Sequence, residues 1–97
     1  MKVVKIYAIY DRVSMWFPFF CFKAMNDGEA MRTFKQILSQ PETAPAKDPF
    51  NYILQCVGTW DQVEGKLVGF DINKNVATGI DLIRPENEEQ ENGGEET

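Results

Sequence analysis

Alternating apolar and polar positions open the chain and predict a β-strand over residues 2 to 10. The alternation places Val4, Ile6, Ala8 and Tyr10 on one face of this strand and Lys5, Tyr7 and Ile9 on the other. A connection over residues 11 to 16 leads to a second predicted strand, residues 17 to 24, in which Pro18 suits an edge or a strand start. Four of the seven phenylalanines lie in this second strand: Phe17, Phe19, Phe20 and Phe22. Because alternate side chains point to opposite sides, some of these rings must cover a second surface.

The next segment has the pattern of a capped amphipathic helix over residues 27 to 39. Asn26 is a favoured N-cap residue, and Glu29 completes a capping-box pattern. The apolar stripe consists of Ala30, Met31, Phe34, Ile37 and Leu38. Pro41 ends the helix, and residues 40 to 49 read as a loop with three prolines.

The second half of the chain has the pattern of a hairpin. The pattern predicts a strand over residues 51 to 60 and a returning strand over residues 66 to 70. The segment from Asp61 to Gly65 is predicted to be the hairpin connection between them. In residues 71 to 84 the pattern indicates a turn at residues 73 to 75 and a short edge strand around residues 80 to 83.

These elements predict an α+β fold: a small antiparallel sheet in the order strand–strand–helix–strand–strand, with one helix packed on one face. One helix covers one face, so we expect the other face to be exposed. Its expected residues are Lys5, Tyr7, Ile9, Phe19, Cys21 and Lys23. An apolar patch of this kind usually marks an interaction surface, and we expect a second copy to cover it in a homodimer.

Charge divides the chain into a body and a tail. The net charge is −5, but residues 85 to 97 contain six Glu and no Lys or Arg. Residues 1 to 84 therefore hold ten basic and nine acidic residues, a net charge of +1. We predict one domain over residues 1 to 84 and a disordered acidic tail over residues 85 to 97.

The sequence offers little that favours catalysis. There is no His, the usual general base and commonest metal ligand, and no phosphate-binding glycine motif. Cys21 and Cys56 lie in unpaired positions typical of reduced thiols in a cytoplasmic protein. No stretch approaches the length of a membrane span. We expect no enzyme activity, no cofactor, no metal site and no membrane segment.

Residues 26 to 34, NDGEAMRTF, resemble the Asn-Asp-Gly-x-Ala-x-Arg-x-Phe signature of the small non-structural protein of gokushoviruses, microviruses with single-stranded DNA genomes. Further similarities occur in order: the opening KIYAIYD, Pro18-Phe19-Phe20, Asp48-Pro49, and Gly58-Thr59-Trp60-Asp61 with Gly65, which resembles a Gly-Thr-Phe-Asp-x-x-x-Gly hairpin. The resemblance covers residues 3 to 70 and, more weakly, the segment to residue 83. It implies a non-structural replication protein of the host bacterial cytoplasm, in a family commonly labelled DNA-binding.

Three hypotheses arise for the function. In the first, the open sheet face binds single-stranded DNA during genome replication or packaging. Its candidate contacts are Lys5, Tyr7, Phe19 and Lys23, with Arg32 and Lys35 of the helix as further candidates. In the second, the face is a dimer interface and the protein binds phage or host proteins, with Trp16, Ile9 and Cys21 as partner contacts. In the third, the protein is a scaffold.

Several of these candidate residues also have a structural explanation that requires no ligand or partner. The Asn26-Asp27-Gly28 motif serves as a helix cap without any ligand. Arg32 is also placed to pair with Glu29, and Trp16 to pack back onto the domain. The acidic tail is expected to compete with DNA for Lys and Arg, or to bind a replication partner.

Overall fold

The computed structural model describes residues 2 to 83, which contain one antiparallel sheet of four strands in the order β2-β1-β3-β4. The strands are β1 (Val3–Asp11), β2 (Phe22–Ala24), β3 (Tyr52–Asp61) and β4 (Lys66–Thr78). The helices are α1 (Asp27–Leu38), the short α2 (Ala44–Lys47) and a 3-10 turn at Pro49–Asn51. Residues 79 to 83 are also helical. The α+β class and the predicted order of the main elements are confirmed, whereas the predicted tail lies outside the described residues.

Helix α1 begins where the capping residues predicted. The Asn26 side chain accepts a hydrogen bond from the Glu29 backbone N–H at 2.9 Å, and the Glu29 carboxylate accepts one from the Met25 N–H at 2.7 Å. Asp27 and Glu29 also place negative charge at the positive end of the helix dipole. Local chemistry therefore accounts for the start of α1 without a bound ligand.

The helix packs on the face of β1 opposite to the predicted one. Tyr7 and Ile9 are 0% and 2% exposed. They belong to a core cluster made of Tyr7, Ile9, Ala24, Ala30, Phe34, Leu38, Tyr52, Leu54 and Cys56. The Tyr7 hydroxyl donates to Asp27 Oδ1 at 2.7 Å, so the polar tip of this ring is satisfied at the first turn of α1. The expectation that Tyr7 and Ile9 lie on an exposed face is therefore wrong.

The alternation in β1 could not identify the helix-covered face because both faces of this strand are buried. Val4, Ile6 and Ala8, which point away from α1, are exposed by 9% or less. Strand β1 has β2 on one side and β3 on the other. A central strand with apolar residues on both faces carries no marker of its solvent side.

The predicted strand over residues 17 to 24 shortens to three residues, Phe22–Ala24. Trp16 forms an isolated antiparallel bridge with Asp11, and the chain between this bridge and β2 is irregular. Pro18 in that segment has no N–H to donate to a ladder. The phenylalanines at positions 17, 19 and 20 consequently belong to a loop.

The second half keeps the predicted hairpin, but its returning strand is longer than predicted. The turn is held by Asp61 Oδ1, which accepts from the N–H groups of Val63 and Glu64 at 2.9 and 3.0 Å, and by Gly65 with φ of 68°. Strand β4 then runs on to Thr78, so the predicted turn at residues 73 to 75 is wrong. Across the sheet, the Gln55 side chain donates a hydrogen bond to Asn75 Oδ1 and accepts one from the Asn73 side chain. These turn-forming residues therefore have hydrogen-bond partners inside the strand.

The predicted edge strand near residues 80 to 83 is also wrong, because this segment is helical and packs Leu82 and Ile83 against the core. Gly79 permits the approach, since a Cβ there would lie 2.5 Å from the Pro49 carbonyl oxygen. The predicted loop over residues 40 to 49 contains α2, which Thr43 caps and which buries Pro45. Within residues 2 to 83, no helix is long and apolar enough to cross a membrane.

Two glycines of the β3–β4 hairpin allow a matched test of its packing. A Cβ on Gly58 would clash with the Val68 carbonyl oxygen, whereas a Cβ on Gly69 would have its nearest neighbour at 4.0 Å. We expect Gly58→Ala to lower the free energy of unfolding by about 1–3 kcal/mol because backbone must move. Gly69→Ala should leave it equal or higher by up to about 1 kcal/mol. Urea unfolding measures both, and equal midpoints for the two variants would contradict this account.

Candidate functional site

Residues 12 to 21, which connect β1 to β2, form a loop that carries most of the exposed aromatic surface; we call it the aromatic loop. Its exposed large apolar side chains are Val13, Met15, Trp16, Phe17, Phe19 and Phe20. Phe20 is 97% exposed and Trp16 is 56% exposed. Apolar side chains concentrated in this way on one loop are typical of an interaction surface.

The base of the aromatic loop is held by the carboxylate of Asp11, which is buried. Asp11 Oδ1 accepts hydrogen bonds from the N–H groups of Val13 and Ser14, each at 3.1 Å, and from the Asn51 side chain at 2.9 Å. The backbone closes the same turn, because the Met15 N–H donates to the Asp11 carbonyl at 2.7 Å. The first half of the loop is therefore a turn held by side-chain and backbone hydrogen bonds.

Arg12 fastens the aromatic loop to the 3-10 turn. Its guanidinium donates to the Phe50 carbonyl at 2.7 Å and lies 4.7 Å from the centre of the Phe50 ring. The Arg12 N–H also donates to the Asn51 carbonyl at 3.1 Å. Phe50 is itself 63% exposed, so its ring extends the apolar surface of the loop. Stacking on Phe50 holds the only charged side chain of the aromatic loop in place.

Two of the loop rings rest on the sheet and two project from it. Phe17 packs on Tyr10 with ring centres 4.9 Å apart, and Phe19 approaches Tyr52 at 6.5 Å. No ring contact of this kind involves Trp16 or Phe20 among the described residues. The projecting rings are therefore free to contact a partner, whereas Phe17 and Phe19 pack on tyrosines of the sheet.

The structure does not bring the predicted DNA-binding residues together. Tyr7 is buried beneath α1 and cannot stack on a base. Lys5 and Lys23 are both exposed, but Lys23 pairs with Ile6 and Lys5 pairs with Ala24, so the two cations point to opposite faces of the sheet. The predicted site of two aromatic rings between two lysines is therefore not formed, and of these four residues only Phe19 lies on the aromatic loop.

The remaining candidates divide between α1, the core and the loop. Arg32 is exposed and Lys35 half-buried on α1, an element separate from the aromatic loop. Trp16 and Cys21 lie exposed on the aromatic loop, as a partner contact requires. Ile9 is buried in the core, so its predicted contact with a partner is wrong.

Sequence reasoning missed three parts of this surface: the Asp11 anchor, the Arg12–Phe50 contact and the exposure of Val13 and Met15. The density of apolar residues in a connecting segment was the available signal. From position 17 onward, however, the spaced phenylalanines also fit a strand pattern, which hides the full length of the loop. The contacts with Phe50 and Asn51 join residues that are 38 and 40 positions apart, which no local pattern records.

The described residues carry no excess of positive charge. Residues 2 to 83 contain nine Lys and Arg and nine Asp and Glu. The same residues contain no group of three or more His, Cys, Asp or Glu side chains placed to hold a metal ion. Electrostatic attraction of phosphates is therefore a weak driving force at this surface.

The Asp11 anchor makes stability depend on pH in a defined direction. The Ser14 hydrogen bond is the main cause that lowers the pKa of Asp11 below its ordinary 3.8, with Asn51 and Val13 contributing and burial opposing. A lowered pKa stabilises the fold above pH 3.8, and this contribution is lost as the pH falls through the folded-state pKa.

We expect Asp11→Asn to unfold at lower urea than the wild type at pH 7 and to show a smaller loss of stability on acidification below pH 3.8. The amide keeps an acceptor for Val13 and Ser14, so the loop geometry is retained while the charge is removed. Urea midpoints between pH 7 and pH 2 make the comparison. Parallel pH profiles for the two proteins would contradict the role of Asp11.

Comparison with known proteins identifies the family. The model of the family described as Phage ORF5 protein matches residues 4 to 82. No curated protein and no solved structure matches the chain significantly. The matched range runs from β1 to the last helical residues and includes the whole aromatic loop. The chain therefore belongs to the Phage ORF5 protein family.

Proposed function

We propose that this phage protein is a non-enzymatic accessory protein of the gokushovirus type. It acts in the host bacterial cytoplasm by binding a phage or host protein through the aromatic loop. The observation that carries the proposal is the exposure of Trp16 and Phe20 on a loop whose base is anchored by Asp11 and Arg12. The gokushovirus assignment rests on the NDGEAMRTF motif and the ordered similarities around it.

The composition of the aromatic loop favours a protein partner. Aromatic residues, Met and Arg are enriched at the centres of protein interfaces, whereas Lys, Asp and Glu are depleted. Residues 12 to 21 contain four aromatic residues, one Met and one Arg, and no Lys, Asp or Glu. Binding would remove the Trp16 and Phe20 rings from water, and large aromatic anchors supply most of the energy in such interfaces.

Anchoring of the loop also favours binding, because an ordered loop loses less conformational entropy when a partner arrives. The carboxylate of Asp11 fixes the turn, and the guanidinium of Arg12 fixes Phe50 beside it. The projecting rings are thus presented from a segment that is already held at its base.

Single-stranded DNA is the second candidate partner, and the exposed rings favour it. Trp16 and Phe20 are free for base stacking, which contributes about 1–3 kcal/mol per base and needs no sequence-specific contact. The balanced charge of residues 2 to 83 opposes it, because phosphate neutralisation dominates the affinity of most DNA-binding proteins. Such binding would be weak and only slightly dependent on salt.

A photo-crosslinking residue at position 20 distinguishes the two partners. Phe20→benzoylphenylalanine, introduced into the full chain during phage infection, should give a protease-sensitive and nuclease-resistant adduct on illumination. The same substitution at Val63, which is 69% exposed in the β3–β4 turn, is the matched control. A nuclease-sensitive adduct would favour single-stranded DNA, and an adduct pattern identical at both positions would refute a role for the aromatic loop.

Paired serine substitutions test the energetic part of the proposal. Trp16→Ser with Phe20→Ser should weaken binding to the captured partner at least tenfold, a change of about 1.4 kcal/mol. The free energy of unfolding should change by no more than about 0.5 kcal/mol per exposed position. Val63→Ser with Met25→Ser is the control pair, on exposed residues outside both the aromatic loop and β4. Undiminished affinity in the loop variant would rule the loop out as the contact.

A separate titration tests the DNA candidate directly. Full-length protein and residues 1 to 84 are titrated with single-stranded oligonucleotides at low and high salt. If DNA is the ligand, removal of the six tail glutamates should strengthen binding, because they compete with phosphates for cations. If neither protein binds the oligonucleotides, the DNA candidate is excluded and the protein-binding proposal is the one that remains.

A further inference from the structure

The outer edge of β4 is a second exposed feature, separate from the aromatic loop. Strand β4 is 13 residues long and pairs with β3 on one side, while its other side has no strand neighbour among residues 2 to 83. The opposite edge of the sheet is β2, which has only three residues. Proteins normally shorten, cover or charge their sheet edges, because unpaired N–H and C=O groups attract another strand.

The middle of β4 departs from the ladder and carries apolar side chains outward. Cys56 pairs with Lys74 and Gly58 with Gly69, so four residues of β4 lie opposite Val57 alone. These four residues, 70 to 73, have no register partner in β3. Phe70 is 41% exposed and Ile72 is 85% exposed. Residues 70 to 73 therefore combine exposed apolar side chains with backbone that has no register partner in the described chain.

We propose that a second copy of this chain occupies the edge, with β4 pairing antiparallel to β4 about a twofold axis between Ile72 and Asn73. In this register Asp71 lies opposite Lys74 of the partner subunit, and symmetry repeats the pair. Ile72 lies opposite Asn73 of the partner subunit, and Phe70 opposite Asn75 of the partner subunit. The dimer pairs the backbone of residues 70 to 73 and covers part of Phe70 and Ile72.

Charge complementarity within β4 favours a second copy in this register. Lys66, Asp71 and Lys74 are the charged residues of β4. A twofold axis at Asp71 would place two Asp side chains together, and an axis at Phe70 would place Lys66 opposite Lys74 of the partner subunit. Opposite charges on facing residues stabilise a strand pair, and like charges destabilise it. The axis between Ile72 and Asn73 gives two attractive pairs and no repulsive pair. An axis between Val68 and Gly69 would also give two attractive pairs, but it would place residues 72 and 73 opposite the turn of the partner subunit and not opposite its β4 strand.

Charge reversal in the full chain tests this dimer. Asp71→Lys and Lys74→Asp should each raise the dimer dissociation constant at least about tenfold, because each variant faces like charges in both symmetric pairs. The double variant Asp71→Lys with Lys74→Asp should recover dimerisation, and an equimolar mixture of the two single variants should form heterodimers. Glu64→Lys, in the exposed β3–β4 turn, is the control and should dimerise as the wild type does.

Sedimentation equilibrium at micromolar concentration measures these constants. A wild-type monomer would overturn the proposal, including the case in which another segment of the chain covers the edge. A dimer whose dissociation constant is unchanged by every charge reversal would place the interface outside β4. A dimer that is lost in the Trp16 and Phe20 variants would place it at the aromatic loop. The aromatic-loop proposal is tested by different residues, so either proposal can fail alone.

Hydrogen exchange of the wild-type protein gives a measurement independent of the variants. The amides of residues 70 to 73 should become protected as protein concentration rises through the dissociation constant, while the aromatic loop remains unchanged. Exchange rates at residues 70 to 73 that do not depend on concentration would overturn the proposal even if a charge-reversed variant failed to fold.

Discussion

The burial of Tyr7 between the sheet and α1 is the constraint on which the rest of the structure depends. Its ring lies in the core cluster with Phe34 and Leu54, and its hydroxyl is paired with Asp27 at the first turn of the helix. Burial is the main cause that raises the pKa of Tyr7 above its ordinary value, and the bond to Asp27 adds to it. The hydroxyl therefore stays protonated as a donor, and α1 is joined to the Tyr7 face of β1.

Placement of the helix on this face determines where aromatic surface remains. Tyr7, Ile9 and Leu54 fill the space beneath α1, and Val4, Ile6 and Ala8 are buried on the opposite face of β1. The sheet consequently presents no broad aromatic face to solvent at β1. The exposed rings are displaced to the connection between β1 and β2, where Asp11 and Arg12 hold the base of the aromatic loop.

Separation of the two exposed surfaces fits a small protein that makes more than one contact. The aromatic loop comes directly after β1, whereas the outer edge of β4, which has no strand neighbour among residues 2 to 83, follows the β3–β4 turn. A chain of 97 residues buries a modest share of its surface, so association adds stability that its own core supplies sparingly. A dimer through β4 would leave residues 12 to 21 available and would present two aromatic loops to a partner.

Short sequence patterns were enough to predict the elements that are stabilised by contacts between residues close in sequence. Asn26 and Glu29 located the start of α1 through capping bonds, and the Asp61–Gly65 turn was readable from turn chemistry. The order of the main elements could be assembled from these pieces. The family resemblance likewise rested on short motifs of the chain, and the family match extends over residues 4 to 82.

Three features could be known only from the tertiary structure. They are the face of β1 on which α1 packs, the length of β4 and the identity of the aromatic rings that are exposed to solvent. Both faces of β1 are apolar, so alternation alone could not identify the side that Tyr7 shares with α1. The Gln55 side chain donates a hydrogen bond to Asn75 and accepts one from Asn73, and both turn-forming residues lie in strand β4. The anchor from Asp11 to Asn51 spans 40 positions. Contacts between residues so far apart form only when the chain has folded, and periodicity within one element does not encode them.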